Sequence, residues 1–218
     1  MSRIDAIFFD LDGTLTDPKV GITRCIRHAL RELGVTPPEA DDLTWCIGPP
    51  LLDSFKAILG DDALAAVALK HYRERFSEIG LYENQLYGGV LESLQLLSDR
   101  NVSLFVATSK PQVYAERIVE HFGIATFFER VFGPTLQGDR SRKTDLLRWA
   151  LAEVGVTADA TVMVGDRNHD IVGARDNGMY AAGVLYGYGS REELEHAGAQ
   201  LLLRSPDELG GILDASVA

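Results

Sequence analysis

The chain predicts an α/β fold: a doubly wound, Rossmann-like parallel-sheet core with an inserted all-helical domain. Three observations carry this. Short apolar runs of strand length recur and end on polar residues. From residue 88 onward these runs alternate with helix-period segments closed by glycine. Residues 17–87, by contrast, hold helical stripes and no strong strand. Strand–helix alternation is the signature of a parallel sheet covered on both faces. The core is therefore expected to comprise residues 1–16 and 88–218, with 17–87 inserted after the first strand.

Ala6-Ile7-Phe8-Phe9 is the first run and ends on Asp10. Its length and aromatic content suit a buried strand. Leu104–Ala107 ends on Thr108, and Thr161–Val164 ends on Gly165-Asp166. Ala182–Tyr186 is a fourth candidate and Leu201–Leu203 a weaker fifth. Among the core helices, Val90, Leu94 and Leu97 share a face. Pro111 suits a helix start, and Tyr114, Ile118 and Phe122 follow it before Gly123. Leu146, Leu147, Ala150, Leu151 and Val154 form another stripe, closed by Gly155. Ile171 and Ala174 precede Gly178, and Ser190 with Glu193 reads as a capping box. The insert shows three stripes: Ile22, Ile26, Leu30 and Leu33; then Leu51, Phe55 and Leu59; then Leu64, Val67, Ala68, Tyr72, Phe76 and Ile79.

With 218 residues, 46% hydrophobic, the chain is too apolar for a disordered segment. A net charge of −11 argues against a nucleic-acid polymer or an anionic membrane as the main partner. No apolar stretch approaches the ~18 residues of a membrane span, and Asp5 interrupts any signal-like start. Cys25 and Cys46 have no zinc-site spacing and read as reduced thiols of a cytoplasmic protein.

Ligands of open α/β sheets bind outside the carboxyl ends of the strands. The first strand places Asp10 there, followed by Asp12 in the Asp10-Leu11-Asp12-Gly13-Thr14 turn. The second places Thr108-Ser109-Lys110, and the third Asp166, with Asp170 four residues on and on one side of a first helical turn. Four converging carboxylates repel one another and lose solvation, so they call for a cation. Oxygen-only ligands select a hard ion, Mg²⁺ before Ca²⁺, and Mg²⁺ commonly shares its coordination with substrate phosphate.

These residues resemble the haloacid dehalogenase superfamily of phosphotransferases. Phe8-Phe9-Asp10-Leu11-Asp12-Gly13-Thr14-Leu15-Thr16-Asp17 looks like its first motif and Val106-Ala107-Thr108-Ser109-Lys110 like its second. Lys143, in Ser141-Arg142-Lys143-Thr144, is placed like the third, and Val164-Gly165-Asp166-Arg167-Asn168-His169-Asp170 is similar to the fourth. Residues 17–87 match the inserted helical cap. Within the superfamily the chain looks most like phosphoglycolate phosphatase-like proteins. Trp45-Cys46-Ile47-Gly48-Pro49-Pro50-Leu51, Gly165-Asp166-Arg167 and Leu185-Tyr186-Gly187-Tyr188-Gly189-Ser190 resemble their 5′-nucleotidase-like branch.

The resemblance implies a phosphate monoester hydrolase working by two displacements. Asp10 is the expected nucleophile, Asp12 the general acid and base, and Lys143 the charge partner of Asp10. Phosphate would be held by Thr108, Ser109, Lys143 and main-chain N–H groups near Gly13. Mg²⁺ would take Asp10, Asp166 and the backbone carbonyl of Asp12, with Asp170 acting from outside the coordination sphere on Lys143 or a metal-bound water. His169 is not needed, because Asp12 fills the acid–base role. Lys110 either adds charge or faces solvent. Arg167 stands where many relatives carry threonine; it either changes what lies beside the metal or pairs with a carboxylate at the helix start.

Cap residues Trp45, Gly48 and Pro49 are expected to set the leaving group. Trp45 either stacks on a base or anchors the cap, and Lys19 and Arg24 either read a second anionic group or are surface charge. The expected ligand is a small phosphorylated metabolite, nucleoside 5′-monophosphates ranked before phosphoglycolate, for a monomer or weak dimer. A phosphomutase would keep the same motifs. A catalytically silent binding or regulatory protein would be expected to have lost Asp10, Asp12 or Lys143, and none is lost.

Overall fold

A computed structural model describes residues 4–214. It falls into two compact units, divided at Thr16/Asp17 and at Gln85/Leu86. In chain order the elements begin with β1 (Ala6–Phe9) and β2 (Thr16–Asp17). The inserted unit follows: α1 (Lys19–Glu32), a 3-10 segment Asp41–Cys46, α2 (Leu51–Leu59), and α3 (Asp62–Arg75) ending in a π turn, Phe76–Gly80. β3 (Gln85–Leu86) forms a two-stranded sheet with β2. The core continues with α4 (Val90–Asp99), β4 (Ser103–Ala107), α5 (Gln112–His121), β5 (Arg130–Phe132), α6 (Lys143–Val154) and β6 (Thr161–Gly165). It closes with α7 (Asn168–Asp176), β7 (Tyr180–Val184), α8 (Arg191–Ala197), β8 (Leu201–Leu203) and a 3-10 stretch, Pro206–Asp214.

The core sheet has six strands in the order β5-β4-β1-β6-β7-β8, and each neighbouring pair is parallel. This is the doubly wound order, in which the chain reverses direction across the sheet beside β1. β1 is buried along its whole length between β4 and β6, with Phe9 opposite both Val106 and Val164. That register puts the residues after β1, β4 and β6 at one level. Phe8 stacks on Phe105 with ring centroids 4.7 Å apart and packs against Phe132, so aromatic burial locks the strands that carry the site.

The sequence reading has no strand between Ala107 and Thr161, yet β5 is an edge strand of three residues beginning on Arg130. It is too short to show a period, and its hold is tertiary: Phe132 packs edge-on against Trp149, and the Arg130 guanidinium lies over both rings. The fourth candidate strand is shifted, running Tyr180–Val184 rather than Ala182–Tyr186.

In the helical unit, Ile22, Cys25, Ile26, Ala29 and Leu30 of α1 are buried together with Phe55 of α2. The expected stripe of α3 is displaced in part. Leu64, Val67 and Ile79 are exposed, while Ala65, Ala68, Tyr72 and Phe76 are buried. Tyr72 meets Phe55 edge-on and stacks on Phe76, so the aromatics set the helix rotation and the small alanines permit close approach. Among the described residues no helix is long and apolar enough to cross a membrane.

Candidate active site

β1 delivers Asp10 directly, its N–H donating to the Val164 carbonyl at 2.8 Å. The chain then turns tightly. Leu15 and Thr16 N–H groups both return to the Leu11 carbonyl, and Gly13 adopts φ +84°. Gly13 is required twice over, since a Cβ there would also collide with the Asp166 carboxylate. The loop after β4 is pinned by Thr108, whose N–H donates to Phe132 at 3.0 Å and whose hydroxyl accepts from Lys110 N–H at 3.2 Å. Half-buried Ser109 lies between them. The edge strand supports this loop from below: the Gln112 N–H donates to the Pro134 carbonyl, and Gly133 packs so closely that a Cβ would meet Lys110 O at 2.6 Å.

Lys143 opens α6 and its side chain runs inward, past Gly173, to the sheet end. The ammonium donates to the Ala107 carbonyl at 2.8 Å and lies 3.2 Å from Asp10 Oδ1 and 2.8 Å from Asp170 Oδ1. All three side chains are buried. Burial works against the Lys143 charge, but Asp10 and Asp170 outweigh it and hold its pKa above the ordinary lysine value. Burial raises the Asp10 carboxyl, with Lys143 opposing. Asp170 ends below the usual range because Lys143 and the Arg167 N–H overcome its burial.

Asp166 lies on the loop before α7, two residues ahead of the helix, so only Asp170 occupies the first turn. Its Oδ2 accepts from Tyr188 N–H at 2.7 Å, whereas buried Oδ1 has no donor. Burial, then Asp170 and Asp10, drive its pKa well above the usual carboxylate range. Asp12 Oδ2 pairs with Lys110 Nζ at 2.6 Å, and Asp12 Oδ1 has no donor. Lys110 is thus a buried partner of Asp12, not a solvent-facing lysine. Arg167 pairs with Glu193 at 3.0 Å. That also changes the expected capping box: Ser190 caps the Glu193 N–H, but the Glu193 carboxylate turns to Arg167 and the Asn168 N–H.

Asp10, Asp12, Thr108, Lys110, Lys143, Asp166 and Asp170 therefore belong to one linked network at the strand ends of the core. Trp45, Gly48 and Pro49 belong to the helical unit. There Trp45 is 46% exposed and Gly48 turns the chain with φ +102°. The 185–190 segment, which the sequence offers only as a point of resemblance, walls Asp166. Gly187 and Gly189 pack against it with no room for a Cβ, and Tyr188 supplies its hydrogen bond. Alternating glycines just beyond a strand were the available signal. His169 lies beside the cluster, its Nε2 3.8 Å from Asp170 Oδ1.

The donor set fits a hard divalent cation. Asp166 Oδ1 is a buried acceptor without a donor, and leaving such a group bare is costly. A second grouping, Asp10, His169 and Asp170, has ligand atoms within 4.8 Å of one another. Its Asp10 and Asp170 Oδ1 atoms already face the Lys143 ammonium, so the Asp166 side is where positive charge is lacking.

A doubly wound sheet with paired aspartates after β1, a buried lysine and a further acidic pair after β6 is the arrangement of a haloacid dehalogenase-like phosphatase. The comparisons agree. The family model for haloacid dehalogenase-like hydrolases matches residues 7–184, and the chain belongs to that family. It is 47% identical over 193 residues to a 5′-nucleotidase of Pseudomonas aeruginosa, covering 88% of this chain and 87% of that one. It is 40% identical over 190 residues to the tyrosine-protein kinase PtkA of Mycobacterium tuberculosis, covering 87% of this chain and 65% of that one. The crystal structure of a predicted phosphatase from Clostridium acetobutylicum superposes with a TM-score of 0.94 at 39% identity, covering 98% of this chain and all of that one.

Proposed function

We propose that this phosphatase is a Mg²⁺-dependent phosphomonoester hydrolase that works through an aspartyl phosphate on Asp10, with nucleoside 5′-monophosphates as its preferred substrates. The observation that carries the reading is the buried Asp10–Lys143–Asp170 array beside the orphaned Asp166 oxygen. In the first displacement an Asp10 oxygen bonds to phosphorus as the ester P–O bond breaks. Asp12 gives its proton to the leaving oxygen. In the second, Asp12 takes a proton from water, whose oxygen bonds to phosphorus as the Asp10–phosphorus bond breaks. Thr108, Ser109, Lys110 and Lys143, with main-chain N–H groups of the turn around Gly13, would donate to phosphoryl oxygens. Asp10, Asp166 and the Asp12 carbonyl would hold Mg²⁺, which supplies Lewis-acid neutralisation of phosphoryl charge. Asp170 positions Lys143.

Chelation should abolish phosphate release and Mg²⁺ should restore it. Ca²⁺ should restore it poorly, since its looser coordination misplaces the nucleophile. Full activity in excess chelator, with residual metal measured, would refute the cation's role.

Substrate preference rests on the inserted unit. The exposed Trp45 and the Gly48-Pro49-Pro50 turn offer an apolar, aromatic surface suited to a base more than to a two-carbon acid. The relative named 5′-nucleotidase supports the same ranking. kcat/KM for nucleoside 5′-monophosphates should exceed that for phosphoglycolate under saturating Mg²⁺. If phosphoglycolate leads every nucleotide by about tenfold, or ~1.4 kcal/mol in transition-state preference, the ranking is wrong. Trp45→Ala should narrow the nucleotide advantage; an unchanged ratio removes Trp45 from recognition.

A further inference from the structure

We propose that the helical unit carries a second anion site, a cleft along α1 that binds a chain of phosphoryl groups, as in a nucleoside triphosphate or an inorganic polyphosphate. The cleft encloses about 740 Å³ and is built from residues of this unit alone. Lys19, Arg24, Arg27, His28, Arg31 and Arg75 line it. That concentration of cations stands against a net charge of −11 for the chain.

The cations are arranged along a line. Lys19, Thr23, Arg27 and Arg31 recur every four residues, so they share one face of α1. From Lys19 to Arg31 the helix rises ~18 Å, which suits several linked phosphoryl groups rather than one. At the base of the cleft the charge is fixed: Arg75 makes two hydrogen bonds to Glu83, at 2.8 and 3.1 Å, and Glu83 also accepts from Arg24. Both Arg75 and Glu83 are largely buried.

The row itself is held differently. Lys19 pairs with Asp41 and Arg27 with Glu39, but those carboxylates are 85% and 80% exposed. Exposed pairs contribute little and exchange readily for a stronger anion. Arg27 Nε is buried and has no acceptor, so the Arg27 guanidinium is incompletely satisfied by the protein itself. Arg31 is exposed and has no ion pair among the described residues. Phosphoryl oxygens satisfy guanidinium donors better than carboxylates in water do.

The test is calorimetric titration of the full chain in excess chelator with inorganic tripolyphosphate, ATP and AMP. Saturable binding of tripolyphosphate and ATP is expected, weakened by added salt, with AMP at least about tenfold weaker. ATP binding tighter than tripolyphosphate assigns the site to a nucleotide; equal or weaker binding assigns it to the polyphosphate chain. Arg31→Gln, at an exposed position that leaves packing untouched, and Arg27→Gln should each lower affinity about tenfold, with thermal unfolding confirming the fold. No saturable binding, AMP binding as tight as ATP, or an affinity unchanged in Arg31→Gln and Arg27→Gln would overturn the proposal.

Discussion

Asp10→Asn should reduce phosphate release by about a thousandfold or more, the loss expected when the nucleophile of a covalent enzyme is removed. The amide keeps the shape of the side chain and its place at the end of β1, where the backbone is fixed by the Val164 carbonyl. What it loses is the charge that attacks phosphorus. The fold should tolerate the change, because burial already raises the Asp10 carboxyl and a neutral group in that position is less costly to bury. Steady-state kinetics with a thermal melt separate the two effects. Near-normal turnover in pure Asp10→Asn would sink the covalent mechanism.

Lys143→Met should be the most damaging change to the fold and should also cost activity. The ammonium is the common partner of Asp10 and Asp170, and all three groups are buried. Removing one member of such an array leaves uncompensated charge, which costs about 3–5 kcal/mol. Activity should fall by about a hundredfold or more, since a donor to the transferring phosphoryl group and the positioning of Asp10 go together. The pH dependence carries a sign. In wild type the raised Lys143 pKa contributes stability that is present below the ordinary lysine value and fades as pH rises through the folded value. In Lys143→Met the aspartates lose the group that opposes their burial, so their pKa values rise. Protonation then relieves the strain, and the stability deficit should shrink as pH falls from about 8 toward about 5. Denaturant unfolding in chelator measures it; a deficit that grows on acidification would show that the carboxylates are compensated by other groups.

The parts legible in the sequence are those where local pattern and tertiary role coincide. β1, β4 and β6 are apolar on both faces because helices cover both faces, and each stops where a polar residue enters the site. Asp10 and Asp166 could therefore be placed from strand ends, and Lys143 from its resemblance to the third motif. β5 could not, because its three residues owe their state to the packing of Phe132 on Trp149 and Phe8. The α3 stripe is legible in part, since Ala68, Tyr72 and Phe76 are buried as the spacing predicts, but Leu64 and Val67 outrank Ala65 in hydrophobicity while close helix packing favours the smaller side chain. Lys110 and Glu193 show the same limit in polar groups. Their identities are evident, but their partners, Asp12 and Arg167, lie far along the chain and are set by loop geometry.

The central claim is a phosphoryl group carried by Asp10, and it is most directly tested by trapping it. Asp12→Ala should still undergo the first displacement with p-nitrophenyl phosphate, whose leaving group needs no proton, but should be slow in the second, which needs a base. Acid quench during turnover, followed by borohydride reduction and peptide mass spectrometry, should then find homoserine in place of aspartate at position 10 and nowhere else. A burst of p-nitrophenol without modification at position 10, or with homoserine at position 166 or 170 instead, would contradict it.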